Sequence, residues 1–332
     1  MIMVFELLVV IIFLAFVFDF LNGMNDAANS ISTVVATRVL KPRNAVVLAA
    51  FMNFVAAFVF TTAIAFTFGK GLVDPKALNQ TTILAALISA IIWTYIATHW
   101  GLPISVSHAI TGGLIGAAVT TAGLSVIIFE GVFKTLVFIF IAPFLGLFGA
   151  IIFSIVIIRL FRKVSTEKSN KYFKKLQLIS ASFYSLGHGS NDAQKTMGII
   201  YASLIVNGTL TTSDPLPIWV IFGAYTAISL GTLLGGWRVV KTMGMRLTKL
   251  RPFEGFSAES SSGFVLLFTA LAGIPVSTTH TITGSIMGVG LIKRISAVRW
   301  LVANRIVWSW ILTIPLTSGM AGIIYLLLSA FS

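Results

Sequence analysis

Long apolar runs, separated by short polar or basic stretches, make up most of this chain. Six runs are long enough to cross the roughly 30 Å hydrocarbon core of a bilayer as helices. We predict these crossings near residues 3–37, 44–69, 132–160, 176–206, 218–243 and 298–330. The pattern therefore predicts an all-α polytopic membrane protein.

Two further apolar stretches, about 81–122 and 256–292, are each interrupted near the middle by a tip of Gly, Pro and hydroxyl residues. Their helical arms are predicted at 81–98 and 106–122, and at 256–271 and 278–292. Each arm is roughly 25 Å long, so length alone does not exclude two ordinary crossings. The tips, Gly101–Ser105 and Gly273–Ser277, carry no charged residue, which favours re-entrant hairpins. Broken backbone at membrane depth must then be covered by protein or a wet cavity.

The two interrupted stretches are copies of one motif. GLPISVSHAITGGLIG at 101–116 and GIPVSTTHTITGSIMG at 273–288 share eight of sixteen positions. A second pair lies upstream, GMNDAANS at 23–30 and GSNDAQKT at 189–196, in the same order in both halves. Such a duplication in an apolar chain is typical of transporters whose site lies between two repeats. We therefore divide the chain into a first repeat at 1–160, a basic linker at 161–175 and a second repeat at 176–332.

Basic residues are concentrated in four connecting segments, which we place in the cytoplasm. These segments contain Arg38, Lys41 and Arg43; seven Lys or Arg between 159 and 175; five between 238 and 251; and Lys293, Arg294 and Arg299. With three crossings in each half, this placement puts both termini outside and inverts the second repeat relative to the first. It predicts a multi-pass protein of the cell membrane with a cytoplasmic central linker.

Composition supports this class. Hydrophobic residues make up 57% of the chain and charged residues 10%, whereas soluble domains carry about 25% charged residues. The net charge of +13 comes from short loops, so it indicates membrane anchoring and not nucleic-acid binding. There is no cysteine, which excludes disulfide and thiolate chemistry. The first apolar run lacks a basic n-region and a cleavage site, so we expect a retained helix.

The hairpin tips are suited to bind an anion. Pro103 and Pro275 end one helix, and the hydroxyl residues that follow them are good N-caps for the next. The first N–H groups of each returning helix lack partners and carry the positive end of the helix dipole. We predict that a tetrahedral oxyanion is bound by Ser105, Val106, Ser107, Ser277, Thr278 and Thr279. The alternative is that these hydroxyls only cap buried helix ends.

The repeated Asn-Asp pair is suited to bind a cation. Asp26 and Asp192 lie deep inside apolar runs, where an ionised carboxylate needs a cation or another partner. Carboxylate and amide oxygens form a hard shell that fits Na⁺. We predict Na⁺ ligands at Asn25, Asp26, Asn191, Asp192, Thr111 and Thr283. A proton site or a helix–helix hydrogen bond is the alternative for the acids, and a bond to their own helix backbone for the two threonines.

The two copies differ at informative positions. Asn29 of the first repeat aligns with Lys195, and Ala28 aligns with Gln194. Lys195 follows Asp192 by three residues and shares its helix face, so it either neutralises Asp192 or approaches the anion. We assign Gln194 and Lys195 to binding of the same anion. The roles of His108, His280 and Asp19 stay open.

At these motifs the chain resembles the inorganic phosphate transporter (PiT) family of Na⁺- or H⁺-coupled phosphate permeases. The family carries two copies of a motif like GANDVANA, to which GMNDAANS at 23–30 and GSNDAQKTMGI at 189–199 are similar, with Met24 and Ala27 as departures. The resemblance implies phosphate as the substrate, symport, and essential roles for Asp26 and Asp192. The long hydrophilic loop of animal members is absent from this sequence.

The sequence thus predicts a secondary transporter that imports inorganic phosphate with Na⁺ by alternating access, with the anion between two hairpin tips at the membrane midplane. A H⁺-coupled phosphate or sulfate permease is the nearest alternative. A channel is another alternative. An intramembrane serine hydrolase using Ser105 with His108, or Ser277 with His280, is remote because it lacks a G-x-S-x-G elbow. We expect no enzymatic activity and no cofactor. The expected partners are phosphate, Na⁺ and lipid, and a homodimer is left open.

Overall fold

The computed structural model describes residues 2–74 and 77–330, and helices dominate this part of the chain. The helices are α1 (Ile2–Ala36), α2 (Pro42–Val55), α3 (Ala63–Lys70), α4 (Gln80–Trp100), α5 (Val106–Ala122), α6 (Phe129–Phe161), α7 (Thr166–Val206), α8 (Ile218–Leu234), α9 (Trp237–Lys241), α10 (Pro252–Leu271), α11 (Thr278–Lys293) and α12 (Trp300–Ser329). A π-helical turn, Thr242–Arg246, continues α9. The prediction of an all-α protein is confirmed.

Two predicted crossings are wrong as single helices. The run 44–69 is divided into α2 and α3, with 87° between them, and the run 218–243 into α8 and α9, with 63° between them. The second break lies at Gly235 and Gly236, and Gly235 has a φ of 67° that favours glycine. The first break has no glycine or proline. The helix that follows it, α3, is capped by a side chain of α7.

Several helices of the described chain could cross a membrane. By length and composition, α1, α4, α6 and α12 are each apolar enough to cross a bilayer, and the two bent pairs bring the number to six. Helix α7 is long, but its middle carries the polar Asn-Asp motif. It begins at Thr166, so most of the predicted linker at 161–175 is the first part of this helix.

Both interrupted stretches form helical hairpins with the predicted arms. Helices α4 and α5 form the first hairpin, and α10 and α11 form the second. The first arm of each ends at a glycine in the left-handed region, Gly101 with φ 70° and Gly273 with φ 65°. Proline follows two residues later, and a serine then precedes the returning helix. The same local code therefore reverses the chain twice.

The two halves interlock. Helix α5 of the first hairpin packs along α12, and α11 of the second hairpin packs along α6. Close approach depends on the motif glycines, because a Cβ on Gly116 would lie 2.2 Å from the Ser318 carbonyl oxygen and one on Gly288 would lie 2.4 Å from that of Leu147. These glycines therefore permit close helix packing.

We expect Gly284→Ala to destabilise the fold. The new Cβ would lie 2.0 Å from the carbonyl oxygen of Pro143, and backbone of another helix yields only at a cost of about 1–3 kcal/mol. Gly319→Ala is the control, because nothing lies within 4 Å of that position and alanine favours helix by about 1 kcal/mol. Melting of the purified proteins in detergent measures both. Equal melting temperatures for the two variants would contradict the packing argument.

Candidate functional site: the hairpin tips and the Asn-Asp helices

The returning helices begin where the sequence predicts. Helix α5 starts at Val106 and α11 at Thr278, and the preceding serines cap them. Ser105 Oγ accepts a hydrogen bond from the His108 backbone N–H at 3.3 Å, and Ser277 Oγ accepts one from His280 N–H at the same distance. The earlier N–H groups of each first turn have no acceptor within their own helix. The N-cap expectation is confirmed for both hairpins.

The two returning helices meet at their histidines. The ring centroids of His108 and His280 lie 4.6 Å apart in an edge-to-face arrangement. His280 also stacks on Trp310 with 3.7 Å between centroids, and His108 Nδ1 lies 3.5 Å from the Trp310 carbonyl oxygen. These rings border an apolar cavity of about 340 Å³ between α5, α6, α11 and α12. The histidines therefore hold the two hairpins and α12 together in this conformation.

The carboxylates of the two repeats converge on one histidine that sequence reasoning missed. His188 Nε2 lies 3.4 Å from an Asp192 oxygen and 3.9 Å from an Asp26 oxygen, and all three side chains are buried. On its other side, His188 Nδ1 lies 3.2 Å from Asn53 Oδ1. The available signal was a histidine four residues before Asp192, aligned with Asn22 of the first repeat. A ligand atom from each of the three residues lies within 4.8 Å of the others.

Hydroxyls of the second hairpin lie on these carboxylates. Thr278 Oγ1 donates to Asp26 at 3.2 Å and approaches Asp192 at 3.4 Å. Thr279 Oγ1 lies 3.3 Å from Asp26 and accepts a hydrogen bond from the Asn29 amide at 2.8 Å. The tip of the second hairpin and the Asn-Asp motifs of both repeats thus form one site.

Lys195 contacts both hairpins. Its ammonium lies 2.5 Å from Asp192 Oδ1 and 3.0 Å from the Val276 carbonyl oxygen of the second tip. It also donates to Ser107 Oγ in the first turn of α5. The side chain is 2% exposed, so a buried ion pair crosses the centre of the site.

The motif asparagines use their nitrogens for packing and leave their oxygens available. Asn25 Nδ2 donates to Thr98 Oγ1 at 2.7 Å, and Asn191 Nδ2 donates to the carbonyl oxygens of Gly187 and Leu266 at 3.0 Å. The side-chain oxygens of both asparagines are buried without a hydrogen-bond partner. Such oxygens fit a cation better than they fit an apolar interior.

Three further predicted ligands, Thr111, Thr283 and Gln194, differ in their hydrogen-bond partners. Thr111 Oγ1 is buried without a hydrogen-bond partner, whereas Thr283 Oγ1 donates to the Thr279 carbonyl oxygen of its own helix at 2.6 Å. Gln194 Oε1 accepts a hydrogen bond from the Ile64 backbone N–H at 2.9 Å and therefore caps α3. In this conformation Gln194 stabilises the break between α2 and α3 instead of pointing to a hairpin tip. The assignments of these residues to ions stay predictions.

A buried glutamate away from the two Asn-Asp motifs was also missed by sequence analysis. Glu259 of α10 is fully buried and accepts hydrogen bonds from Gln177 at 2.9 Å and from Thr33 and Ser180 at 2.5 Å. With the motifs aligned, the corresponding residues in the other half are all apolar: Leu87, Ile11, Ile199 and Leu14. The polar cluster is thus specific to the second hairpin. Asp19 is also buried, and neither of its oxygens makes a hydrogen bond in the described structure.

Comparison with known proteins finds phosphate transporters. The model of the phosphate transporter family matches residues 22–321. A probable low-affinity inorganic phosphate transporter of Rhizobium meliloti (strain 1021) is 47% identical over 321 residues, covering 97% of this chain and 96% of the relative. A protein of Bacillus subtilis (strain 168) with the same name is 41% identical over 326 residues, covering 97% of each chain.

A solved structure titled "The sodium-dependent phosphate transporter" has the same fold. It superposes with a TM-score of 0.88, covering 98% of this chain and 100% of its own, at 24% sequence identity. That identity shows the fold alone. The relatives are named as transporters and permeases and not as enzymes, which agrees with the expectation for this chain.

We expect His188→Leu to reduce phosphate uptake into proteoliposomes at least about tenfold. Leucine removes the polar group between two carboxylates and leaves Asn53 Oδ1 without its histidine partner, a loss of about 1–3 kcal/mol for each buried polar group. His99→Leu is the control, because His99 is exposed at the end of α4. Uptake by His188→Leu equal to that of the control would show that the bridge is dispensable.

Proposed function

The chain belongs to the phosphate transporter family and is a multi-pass phosphate transporter, and from this premise we propose that it imports inorganic phosphate with Na⁺ by alternating access. One observation carries the proposal. The Asn-Asp motifs of both repeats and the first turns of both returning helices lie within hydrogen-bonding reach of one another. Anion and cation would therefore share a single buried site.

The first turns of α5 and α11 supply the proposed anion site. Their N–H groups lack acceptors within the helix, and the ring contact of His108 with His280 shows that the two helices approach closely. Helix N-termini attract anions through these groups and through the helix dipole. Hydroxyls of Ser105, Ser107 and Ser277 add donors that a tetrahedral oxyanion can use. We propose that phosphate is bound between the tips.

The buried carboxylates supply the proposed Na⁺ site. Two carboxylates at membrane depth need positive charge. The unpartnered amide oxygens of Asn25 and Asn191 would add hard-oxygen ligands to them. The solved transporter with this fold is titled sodium-dependent, which names the ion for that protein. We transfer this ion to the present chain as part of the proposal.

Loading would exchange partners within the site. Thr278 and Thr279 hydrogen-bond to Asp26 in this conformation. A cation that binds the carboxylate would release these hydroxyls to donate to the anion. Each hairpin would then gate one side of the membrane. In the proposed orientation both termini lie outside and the basic start of α7 lies in the cytoplasm.

Phosphate uptake into proteoliposomes, with Na⁺ and pH gradients imposed separately, tests the proposal. We expect the Na⁺ gradient to drive uptake and labelled sulfate to be excluded. Uptake driven only by the pH gradient would favour the proton-coupled alternative, and uptake of sulfate would favour the sulfate permease.

Asp26→Asn and Asp192→Asn should each abolish Na⁺-driven uptake. The carboxylate charge at this depth is expected to hold the cation, and an amide of the same shape removes that charge while keeping the volume. Asp214→Asn is the control, since Asp214 lies in the loop after α7 and its carboxylate bonds only to Thr211 among the described contacts. If either site variant takes up phosphate at a rate within twofold of the Asp214→Asn protein, the substituted aspartate is not a ligand of the cation.

Ser105→Ala and Ser277→Ala should each weaken phosphate binding. A lost hydroxyl bond costs about 0.5–1.5 kcal/mol, and about 1.5–3 kcal/mol if the partner is charged. The double variant should be weaker than either single one, because the two serines begin helices from different repeats. Ser182→Ala on α7, whose hydroxyl bonds its own helix at Leu178, is the control. Phosphate titrations of uptake rate that coincide for all variants would exclude the serines as ligands.

A further inference from the structure

The Asn-Asp motifs are equivalent in sequence but not in charge. Asp192 has Lys195 three residues after it, and Asp26 has Asn29 at the matching position. Both of these residues reach a hairpin in equivalent ways. Lys195 donates to Ser107 of the first returning helix, and Asn29 donates to Thr279 of the second. Ser107 and Thr279 are themselves matched positions of the duplicated hairpin motif. The residue at this position therefore donates to the matched hydroxyl in both repeats, once through an ammonium and once through an amide.

The surroundings of the Lys195 ammonium are those of a bound cation. An ammonium has three N–H donors and no acceptor. All three are used, on a carboxylate of Asp192, the backbone carbonyl of Val276 and the hydroxyl of Ser107. Carboxylate, carbonyl and hydroxyl oxygens are also the ligands that a Na⁺ ion takes from protein. With its donors used in this way, the ammonium has none left for phosphate in this conformation.

The matching half-site lacks an attached cation. The repeat maps the three partners of Lys195 onto Asp26, the Ile104 carbonyl and Thr279. Two of these three groups lie side by side, since Thr279 Oγ1 is 3.3 Å from Asp26. Asn29 contributes an amide oxygen that is buried without a hydrogen-bond partner. This half-site presents oxygen ligands where the other presents ammonium protons.

We propose that the Lys195 ammonium is a covalently attached substitute for one coupling cation. It occupies the cation position of the second repeat, so this transporter moves one Na⁺ fewer per phosphate than the same fold with asparagine at both positions. The inference rests on the proposed Na⁺ coupling. The ammonium supplies one positive charge beside Asp192, as a Na⁺ ion at that position would. Lys195 also joins the two hairpin tips, which a mobile ion would join only when bound.

The test is the substitution Lys195→Asn, which gives the second repeat the residue of the first. The measurement is the limiting accumulation of labelled phosphate in proteoliposomes with a tenfold Na⁺ gradient, equal pH on both sides and the membrane potential clamped at zero. Each coupled Na⁺ multiplies this limit by about ten. We expect Lys195→Asn to raise the limit about tenfold over wild type. Lys174→Asn, an exposed lysine of the same helix, should leave it unchanged.

A second variant makes the opposite prediction. Asn29→Lys places an ammonium in the remaining half-site and should lower the accumulation limit about tenfold, so the inference is testable even where Lys195→Asn is not recovered folded. An unchanged limit in both variants would overturn it. So would a Lys195→Asn protein that shows only a higher half-saturating phosphate concentration, since that result makes Lys195 an anion ligand.

The outcomes separate this inference from the proposed function. If the wild-type protein shows no Na⁺-driven uptake, the proposed Na⁺ coupling is wrong. If Lys195→Asn then requires Na⁺ for uptake, that result still supports Lys195 as the substitute for a cation. Na⁺-driven uptake in wild type with an unchanged limit in the variants keeps the proposed function and removes the inference. Absence of any Na⁺ effect in all three proteins removes both.

Discussion

A carboxylate buried at membrane depth must have positive charge or hydrogen-bond donors around it, and the central part of this fold is organised by that requirement. Asp26 and Asp192 come from different repeats, and neither has access to bulk water. Their oxygens are reached by His188, by Lys195 and by the hydroxyls of the second hairpin. Hairpin tips and the Asn-Asp helices are thus held together by one set of polar contacts inside an otherwise apolar bundle.

The same requirement connects stability with transport. In the proposed mechanism, a cation would replace the hydroxyls of the tip on the carboxylate. The released hydroxyls would then donate to the anion. The apolar packing around the site is independent of this exchange, because the motif glycines bring α5 against α12 and α11 against α6 through backbone contacts. The returning helices are therefore held by packing against α6 and α12, whereas the tip of the second hairpin is held by polar contacts with the carboxylates.

The internal repeat explains the architecture, and its exceptions carry the specificity. The glycine, proline and serine code reverses the chain identically in both hairpins. Among the departures from symmetry, Lys195, His188 and Glu259 are ionisable, whereas the aligned residues Asn29, Asn22 and Leu87 are not. These departures place buried ionisable groups in the second repeat without ionisable counterparts in the first. Sequence duplication thus provides two similar halves, and single substitutions make them chemically different.

Local sequence alone determined the hairpins, their capping serines and the buried acids, because glycine φ, proline sterics and N-cap bonding act over a few residues. Tertiary structure decided the rest. The break before α3 follows an apolar run without glycine or proline, and it is stabilised by the Gln194 side chain of α7. The convergence of Asp26, Asp192 and His188, and the contact of Lys195 with both tips, join residues separated by up to 166 positions. Such contacts arise from packing between elements, which helix periodicity and local propensity do not encode.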